Sequence, residues 1–196
     1  MVKYIAVFPG QGAQMPKMGL DLYEKYSSVR ELFTLVSDIT HRDVFSILSN
    51  GSVEQLQDTQ NTQLLITLIN RSCSIVLGEL GYIPVVASGF SLGELSAYKE
   101  SSIYDDEALF SIVNQRGLVM AHHSKKIQQE KGTIGMGAVL GLSFDEVQSV
   151  IEASHIKNLY AANDNSRAQV VVSGLLDSLS EIEGLLKEKG ARKIIR

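Results

Sequence analysis

The run Val85-Val86-Ala87-Ser88-Gly89-Phe90-Ser91-Leu92-Gly93-Glu94 constrains this chain more than any other stretch. Its small and β-branched opening residues read as a short buried strand. They lead into Gly89-Phe90-Ser91-Leu92-Gly93 and then a helical stretch, Leu92 to Lys99. A G-x-S-x-G pattern between a strand and a helix is a nucleophile elbow. The flanking glycines let strand turn sharply into helix without a Cβ clash. Ser91 at the apex projects its hydroxyl into a cleft. The N–H groups of the following helix point back to where an oxyanion would form. The bland alternative is an ordinary β-α turn with a capping serine.

Upstream, Tyr4-Ile5-Ala6-Val7-Phe8 is a short apolar strand that ends in Pro9-Gly10-Gln11-Gly12-Ala13-Gln14. This is a tight loop at a strand end, where sheet proteins place their sites. Its Gly-x-Gly lacks the third glycine and the acidic ribose partner of a dinucleotide loop. Gln11 can turn both its backbone N–H and its side-chain amide toward the strand end; a plain loop glutamine is the alternative. Spacing predicts helices over Leu20 to Tyr26, Val29 to Thr40, Asp43 to Leu48 and Val53 to Gln57. A long helix follows from Gln63 to Glu79, capped by Asn61 or Thr62 and stopped at Gly81. It is apolar almost all round, so it reads as the central buried helix, with Gln63 facing the cleft from its first turn. Cys73 on this run reads as a small buried residue. As the only cysteine in the chain, it excludes an internal disulfide.

Beyond the elbow, Asp105, Asp106 and Glu107 mark another helix start, because acids suit the positive end of the helix dipole. Leu109, Ile112, Val113 and Met120 repeat at helical spacing. Arg116 falls at i+7 from Leu109 and i+4 from Ile112, which places a permanent cation on the apolar stripe. Unpaired burial would be expensive. The side chain therefore snorkels, pairs internally or waits for an anionic ligand. Spacing does not choose among the three; only the elbow upstream adds weight to the ligand.

From Met136 the texture changes. Met136 to Leu142 reads as a strand, and Phe144 to Ala153 as a helix with Ser143 and Glu146 forming a capping box. Asn158 to Ala162 is a strand, Asn163-Asp164-Asn165-Ser166 a turn, and Gln169 to Gly174 a strand. Ser178 to Lys189 is a helix and 191–196 a final strand. The order β-α-β-β-α-β is the ferredoxin-like split unit. Polar Lys125 to Thr133 reads as the linker into it, giving expected domains at 1–128 and 133–196.

The net charge of −4, without a basic stripe, argues against a nucleic-acid partner. No apolar run reaches transmembrane length and no signal-peptide pattern opens the chain, so neither a membrane nor export is expected. The expectation is a cytoplasmic enzyme.

Together the pieces resemble the malonyl-CoA:acyl-carrier-protein transacylases, the acyltransferase family of fatty-acid and polyketide synthesis. The resemblance rests on Phe8-Pro9-Gly10-Gln11-Gly12, Asn61-Thr62-Gln63, Gly89 to Glu94, and Gln115-Arg116-Gly117 with Met120. Ala162-Asn163-Asp164-Asn165 through Val172-Ser173-Gly174 adds a fifth stretch. It implies an α/β-hydrolase-like large domain with a ferredoxin-like small domain. It implies Ser91 as nucleophile, an oxyanion hole from the N–H groups of Gln11 and Leu92, and Arg116 on the free malonyl carboxylate. Gln63 and Asn163 become cleft-lining, substrate-binding positions. The implied substrates are malonyl-CoA and an acyl carrier protein, with no metal and no cofactor beyond the coenzyme A thioester itself. The implied reaction is ping-pong.

Two departures stand out. The family has a histidine before the nucleophile where this chain has Phe90. Its catalytic histidine follows the small domain, and the sequence stops at Arg196. The large domain is therefore expected to be incomplete at its C-terminal side, with an uncovered sheet edge and apolar surface. His41 and His155 lie at predicted helix ends, so only His122 and His123 are candidates for a substitute base. The rival readings are a polyketide-loading or malonate-decarboxylase-associated acyltransferase, an acyl hydrolase, and a non-catalytic carrier-protein-binding fragment.

Overall fold

A computed structural model describes residues 2–195. They form two compact units, divided between Ala121 and His122. No helix among the described residues is long and apolar enough to cross a membrane.

The first unit opens with β1 (Val2–Phe8) and continues through α1 (Leu20–Lys25), α2 (Ser27–Thr40), α3 (Val44–Asn50), α4 (Val53–Gln57) and α5 (Thr59–Glu79). It then returns to β2 (Tyr82–Gly89), which runs into α6 (Gly93–Glu100) and the first part of α7 (Asp106–Lys131). β1 and β2 pair in parallel, from Val2 against Tyr82 to Phe8 against Gly89. Pro84 has no N–H for the ladder, and the register slips beside it, leaving Val85 without a partner. One face of the pair is buried: Ala6 and Phe8 pack with Ala97 of α6. The other face is open, with Ile5 64%, Val7 72% and Val86 54% exposed. The elbow strand is therefore not the buried strand expected from its composition. Parallel strands are apolar on both faces because both are normally covered. Here α6 covers only the face that carries Ala6 and Phe8.

The helical core joins Phe33 of α2, Leu48 of α3, Leu56 of α4, Leu65 and Leu68 of α5, and Phe110 of α7. Helix α5 is at its centre, with every residue from Thr62 to Leu68 buried. It starts earlier than its apolar run. Its cap is Asp58, whose carboxylate accepts from the N–H groups of Gln60 and Asn61 at 3.0 and 3.4 Å. The expected caps have other work: the Asn61 amide donates to the Gln55 carbonyl and the Thr62 hydroxyl to that of Leu56. Cys73 is exposed rather than buried, because α5 is buried all round only from Thr62 to Leu68; beyond it Asn70, Ser72, Ser74 and Val76 stay buried while Cys73 faces outward. Local desolvation, with the charge of Asp21, still raises its thiol pKa above the ordinary value.

The second unit holds β3 (Ile134–Leu140), α8 (Phe144–Ser154), β4 (Leu159–Ser166), β5 (Gln169–Leu175), α9 (Leu176–Lys189) and β6 (Lys193–Ile195). The strands lie in the order β4-β5-β3-β6 and every pair is antiparallel, which is the ferredoxin-like arrangement. Val139, Val170 and Val172 of the sheet pack against Val147 of α8 and Ile182 and Leu186 of α9. Two expectations change. Asn163 to Ser166 is not a turn but the second half of β4, where register shifts after Ala161 and Asp164 absorb the irregular residues. The stretch read as a linker is helical to Lys131, since Lys, Gln and Glu are good helix formers even without an apolar stripe. Lys126 and Glu130 pair across one turn at 4.0 Å, and Gly132 ends the helix at φ 111°.

The capping box of α8 forms as expected. The Ser143 hydroxyl accepts from the Glu146 N–H, and the Glu146 carboxylate accepts from the Ser143 N–H at 2.8 Å. That backbone bond first, and the Ser143 hydroxyl second, hold the Glu146 carboxyl below its ordinary pKa of 4.5. A depressed carboxylate pKa stabilises the fold fully above the unfolded value and less as pH falls through the folded one. Loss of the cap hydroxyl in Ser143→Ala is expected to cost about 1 kcal/mol. The gap between variant and parent should narrow as pH falls below 4.5, read by thermal unfolding at several pH values.

Candidate active site

The elbow is built by close contact between backbones. A Cβ on Gly89 would collide with the Gly93 carbonyl, and one on Gly93 would collide with the Phe8 carbonyl. A Cβ on Gly10 would strike the Phe90 carbonyl and lie 3.4 Å from the Leu92 nitrogen. Strand end, elbow and the loop after β1 thus fit together only because three glycines are bare. Phe90 donates to the Phe8 carbonyl at 3.0 Å and accepts from the Gly93 N–H at 2.9 Å. Between these two bonds Ser91 is forced to φ 53°, in the left-handed region. A non-glycine residue there is strained, and such strain gathers at functional sites.

The nucleophile candidate is exposed, while Leu92 beside it is 1% exposed. Among the described residues, the N–H groups of Gln11 and Leu92 take no hydrogen-bond acceptor. Two unspent donors therefore sit on the segments that Gly10 brings together at the elbow. Phe90 points outward, 55% exposed, so its replacement of a histidine leaves the packing of the elbow undisturbed.

Helix α5 ties the elbow to Arg116. Its Asn70 amide donates to the Pro9 carbonyl at 3.3 Å and to the Ser96 hydroxyl of α6 at 3.2 Å. Seven residues earlier, the Gln63 side-chain Oε1 accepts from Arg116 Nη1 at 2.5 Å, and its Nε2 donates to the Met120 sulfur at 2.9 Å. Positions i and i+7 share a helix face, about 10 Å apart along the axis. Thr67, between them, is fully buried, and its hydroxyl has no partner among the described residues. A buried helix that carries Gln63, Thr67 and Asn70 on one face is built there for polar contact as well as packing.

Arg116 does not sit on the buried stripe of α7, which is Leu109, Phe110, Val113 and Gly117. Ile112 and Met120, expected on that stripe, are 43% and 39% exposed. The arginine lies at the edge and is partly exposed. Among the described residues no carboxylate pairs with it; the ion pairs are Arg71 and Lys99 with Asp106, and Lys126 with Glu130. Of the three roles open to it from spacing, internal pairing is made, but only to a neutral amide. Its charge remains free for an anion. Gln63 is 0% exposed and so does not offer an open cleft wall; its amide is already engaged by Arg116 and Met120.

Asn163 lies in the second unit, exposed on β4 and paired with Val171. His41 and His155 end α2 and α8 in the left-handed conformation. His122 and His123 are exposed on α7, with ring centroids 5.5 Å apart. Among the described residues no histidine bonds to the Ser91 hydroxyl.

A curated malonyl CoA-acyl carrier protein transacylase of Staphylococcus aureus (strain MRSA252) is 31% identical over 197 residues, which take in 100% of this chain and 62% of the relative. The crystal structure of malonyl-CoA:acyl carrier protein transacylase from Helicobacter pylori is similar with a TM-score of 0.84 at 33% identity, over 100% of this chain and 61% of that one. A malonyl-transacylase solved in complex with its type II PKS acyl-carrier protein gives a TM-score of 0.84 at 27% identity, over 100% and 62%. The chain thus spans less than two thirds of these relatives' length. The family model described as the acyl transferase domain matches residues 5–195, nearly all of the sequence and every part of the elbow and arginine clasp, and the chain belongs to that family.

Proposed function

We propose that this chain transfers a malonyl group from malonyl-CoA to the phosphopantetheine thiol of an acyl carrier protein, through an ester on Ser91, in the cytoplasm and without a further cofactor. The observation that carries the reading is the strained Ser91 with the unspent N–H groups of Gln11 and Leu92 beside it. In the first half-reaction the Ser91 oxygen attacks the thioester carbonyl. The Gln11 and Leu92 donors hold the developing oxyanion, the C–S bond breaks, and coenzyme A leaves as the thiol. In the second half-reaction the carrier thiol attacks the ester and Ser91 regains its proton.

Arg116 binds the distal carboxylate. A guanidinium fork suits a planar carboxylate, and leaving it unpaired under a neutral acyl group disfavours that group. The names of the relatives support the donor and the acceptor, and the complex with a type II PKS carrier protein supports a carrier as partner. Serine attack at neutral pH needs a general base. Among the described residues no histidine is hydrogen-bonded to Ser91, so the structure assigns no residue to that role. Fatty-acid and polyketide carriers remain alternative acceptors within it.

The test is the intact mass of the purified protein before and after mixing with malonyl-CoA, followed by peptide mapping. The expected result is one malonyl adduct on the peptide that contains Ser91. An unmodified protein would overturn the acyl-serine reading. Carrier binding without acylation would then favour the non-catalytic alternative, and release of free malonate without a carrier would favour a hydrolase.

A further inference from the structure

We propose that Gln63 is the positioning residue that makes Arg116 selective for an acyl group carrying a carboxylate, and that the Met120 thioether fixes Gln63 in turn. The proposal deepens the malonyl-transfer reading and rests on it. An arginine fork is donor-only, a thioether sulfur is acceptor-only, and a glutamine amide has one end of each kind. With Arg116 on one side and Met120 on the other, the Gln63 amide satisfies both partners in a single orientation: oxygen to Arg116, nitrogen to Met120. Arg116 and Met120 are i and i+4 on α7, so they reach Gln63 from one helix face. Gln63 is fully buried between Thr62 and Leu64, which are also buried, and so cannot swing away.

The amide oxygen holds one guanidinium N–H without cancelling the charge. A carboxylate in its place would hold the arginine as firmly and neutralise it. A neutral acceptor therefore leaves a fixed cation with its remaining donors free, the state that binds a carboxylate with least reorganisation. The backbone supports this arrangement. Gly117 is buried, and a Cβ there would lie 3.1 Å from Gln60 Cα, so the bare glycine lets α7 approach α5 closely beside Gln63. Gln60 and Gln63 are neighbours on α5, and the close approach sets the distance that the Arg116 bond spans.

Two variants test this, Gln63→Glu and Gln63→Met, each first checked for parental circular dichroism and melting. The first readout is side-chain NMR of 15N-labelled arginines, which needs no turnover. In the parent the Arg116 Nη protons are expected to be resolved, since one of them is held by Gln63. In Gln63→Met they are expected to average. Unchanged Arg116 resonances in Gln63→Met would overturn the positioning role.

The second readout is competition between malonyl-CoA and acetyl-CoA for the acyl adduct. The parent is expected to favour malonyl, and Gln63→Glu to lose that preference by about ten-fold or more, mainly through KM for malonyl-CoA. Met120→Leu should shift it in the same direction by less. A Gln63→Glu protein with the parental preference would overturn the selectivity claim. A parent that forms no adduct with either thioester overturns the malonyl-transfer reading and the selectivity claim with it. The arginine resonances then decide separately whether Gln63 holds Arg116.

Discussion

Ser91→Ala is expected to fold as the parent does and to take up no acyl group from malonyl-CoA. The backbone argument comes first. Ser91 already carries a Cβ at φ 53°, so alanine meets the same strain and adds none. The serine is exposed, so loss of its hydroxyl buries no unpaired group. Stability should stay within about 0.5 kcal/mol of the parent. The chemistry changes completely. Without the hydroxyl no ester forms, and the N–H groups of Gln11 and Leu92 can stabilise only attack by water or an external thiol. Losing the nucleophile from such a site costs about 10⁴- to 10⁶-fold in rate. Intact mass measures the adduct, and a carrier-transfer assay measures the rate. An adduct that persists in Ser91→Ala would move the nucleophile elsewhere, with the exposed Cys73 the first position to map.

Gly93→Ala is expected to have the largest effect on stability. The added carbon would press on the Phe8 carbonyl group and lie 2.9 Å from the Pro9 carbonyl oxygen. These are backbone atoms of a strand end, so no rotamer change relieves the clash. Helix α6 must lift from β1, which opens the cluster of Ala6, Phe8 and Ala97 and displaces the buried Leu92. A loss of more than about 3 kcal/mol is expected, and acylation of Ser91 should fall with it. Denaturant unfolding measures the first and intact mass the second. Gly78→Ala is the control: it lies in α5 with open space at its Cβ, so the same change there should cost nothing. A Gly93→Ala protein as stable as the parent would mean that the elbow tolerates more separation than its packing indicates.

What could be read from the sequence follows from how local each signal is. The elbow was legible because strand, glycines, serine and helix are contiguous. The second unit was legible because its alternating strands and its Ser143–Glu146 box are local patterns. Other features depend on partners far along the chain. Asp58, Asn61 and Thr62 are all good caps within a few residues of one another, and only the bonds of Asn61 and Thr62 to α4 leave the cap to Asp58. The polar half of β4 hides its strand because its register shifts break the alternation. The last turns of α7 are polar but for Ile127 and offer no period to detect. At the candidate site, spacing placed a cation near an apolar stripe and could say no more. Its partner Gln63 is 53 residues away. A buried glutamine in an apolar helix was a signal for that pairing, but reading it required knowing which helix lies alongside.

The left-handed backbone at Ser91 also limits what the apex can become. Threonine is a single nucleotide change from serine, yet its second branch at Cβ makes φ 53° a genuine outlier. Cysteine has no second branch, so it fits the same turn. Drift at this position is channelled by conformation before chemistry is ever tried: the neighbouring thiol is reachable, and the neighbouring secondary alcohol is not.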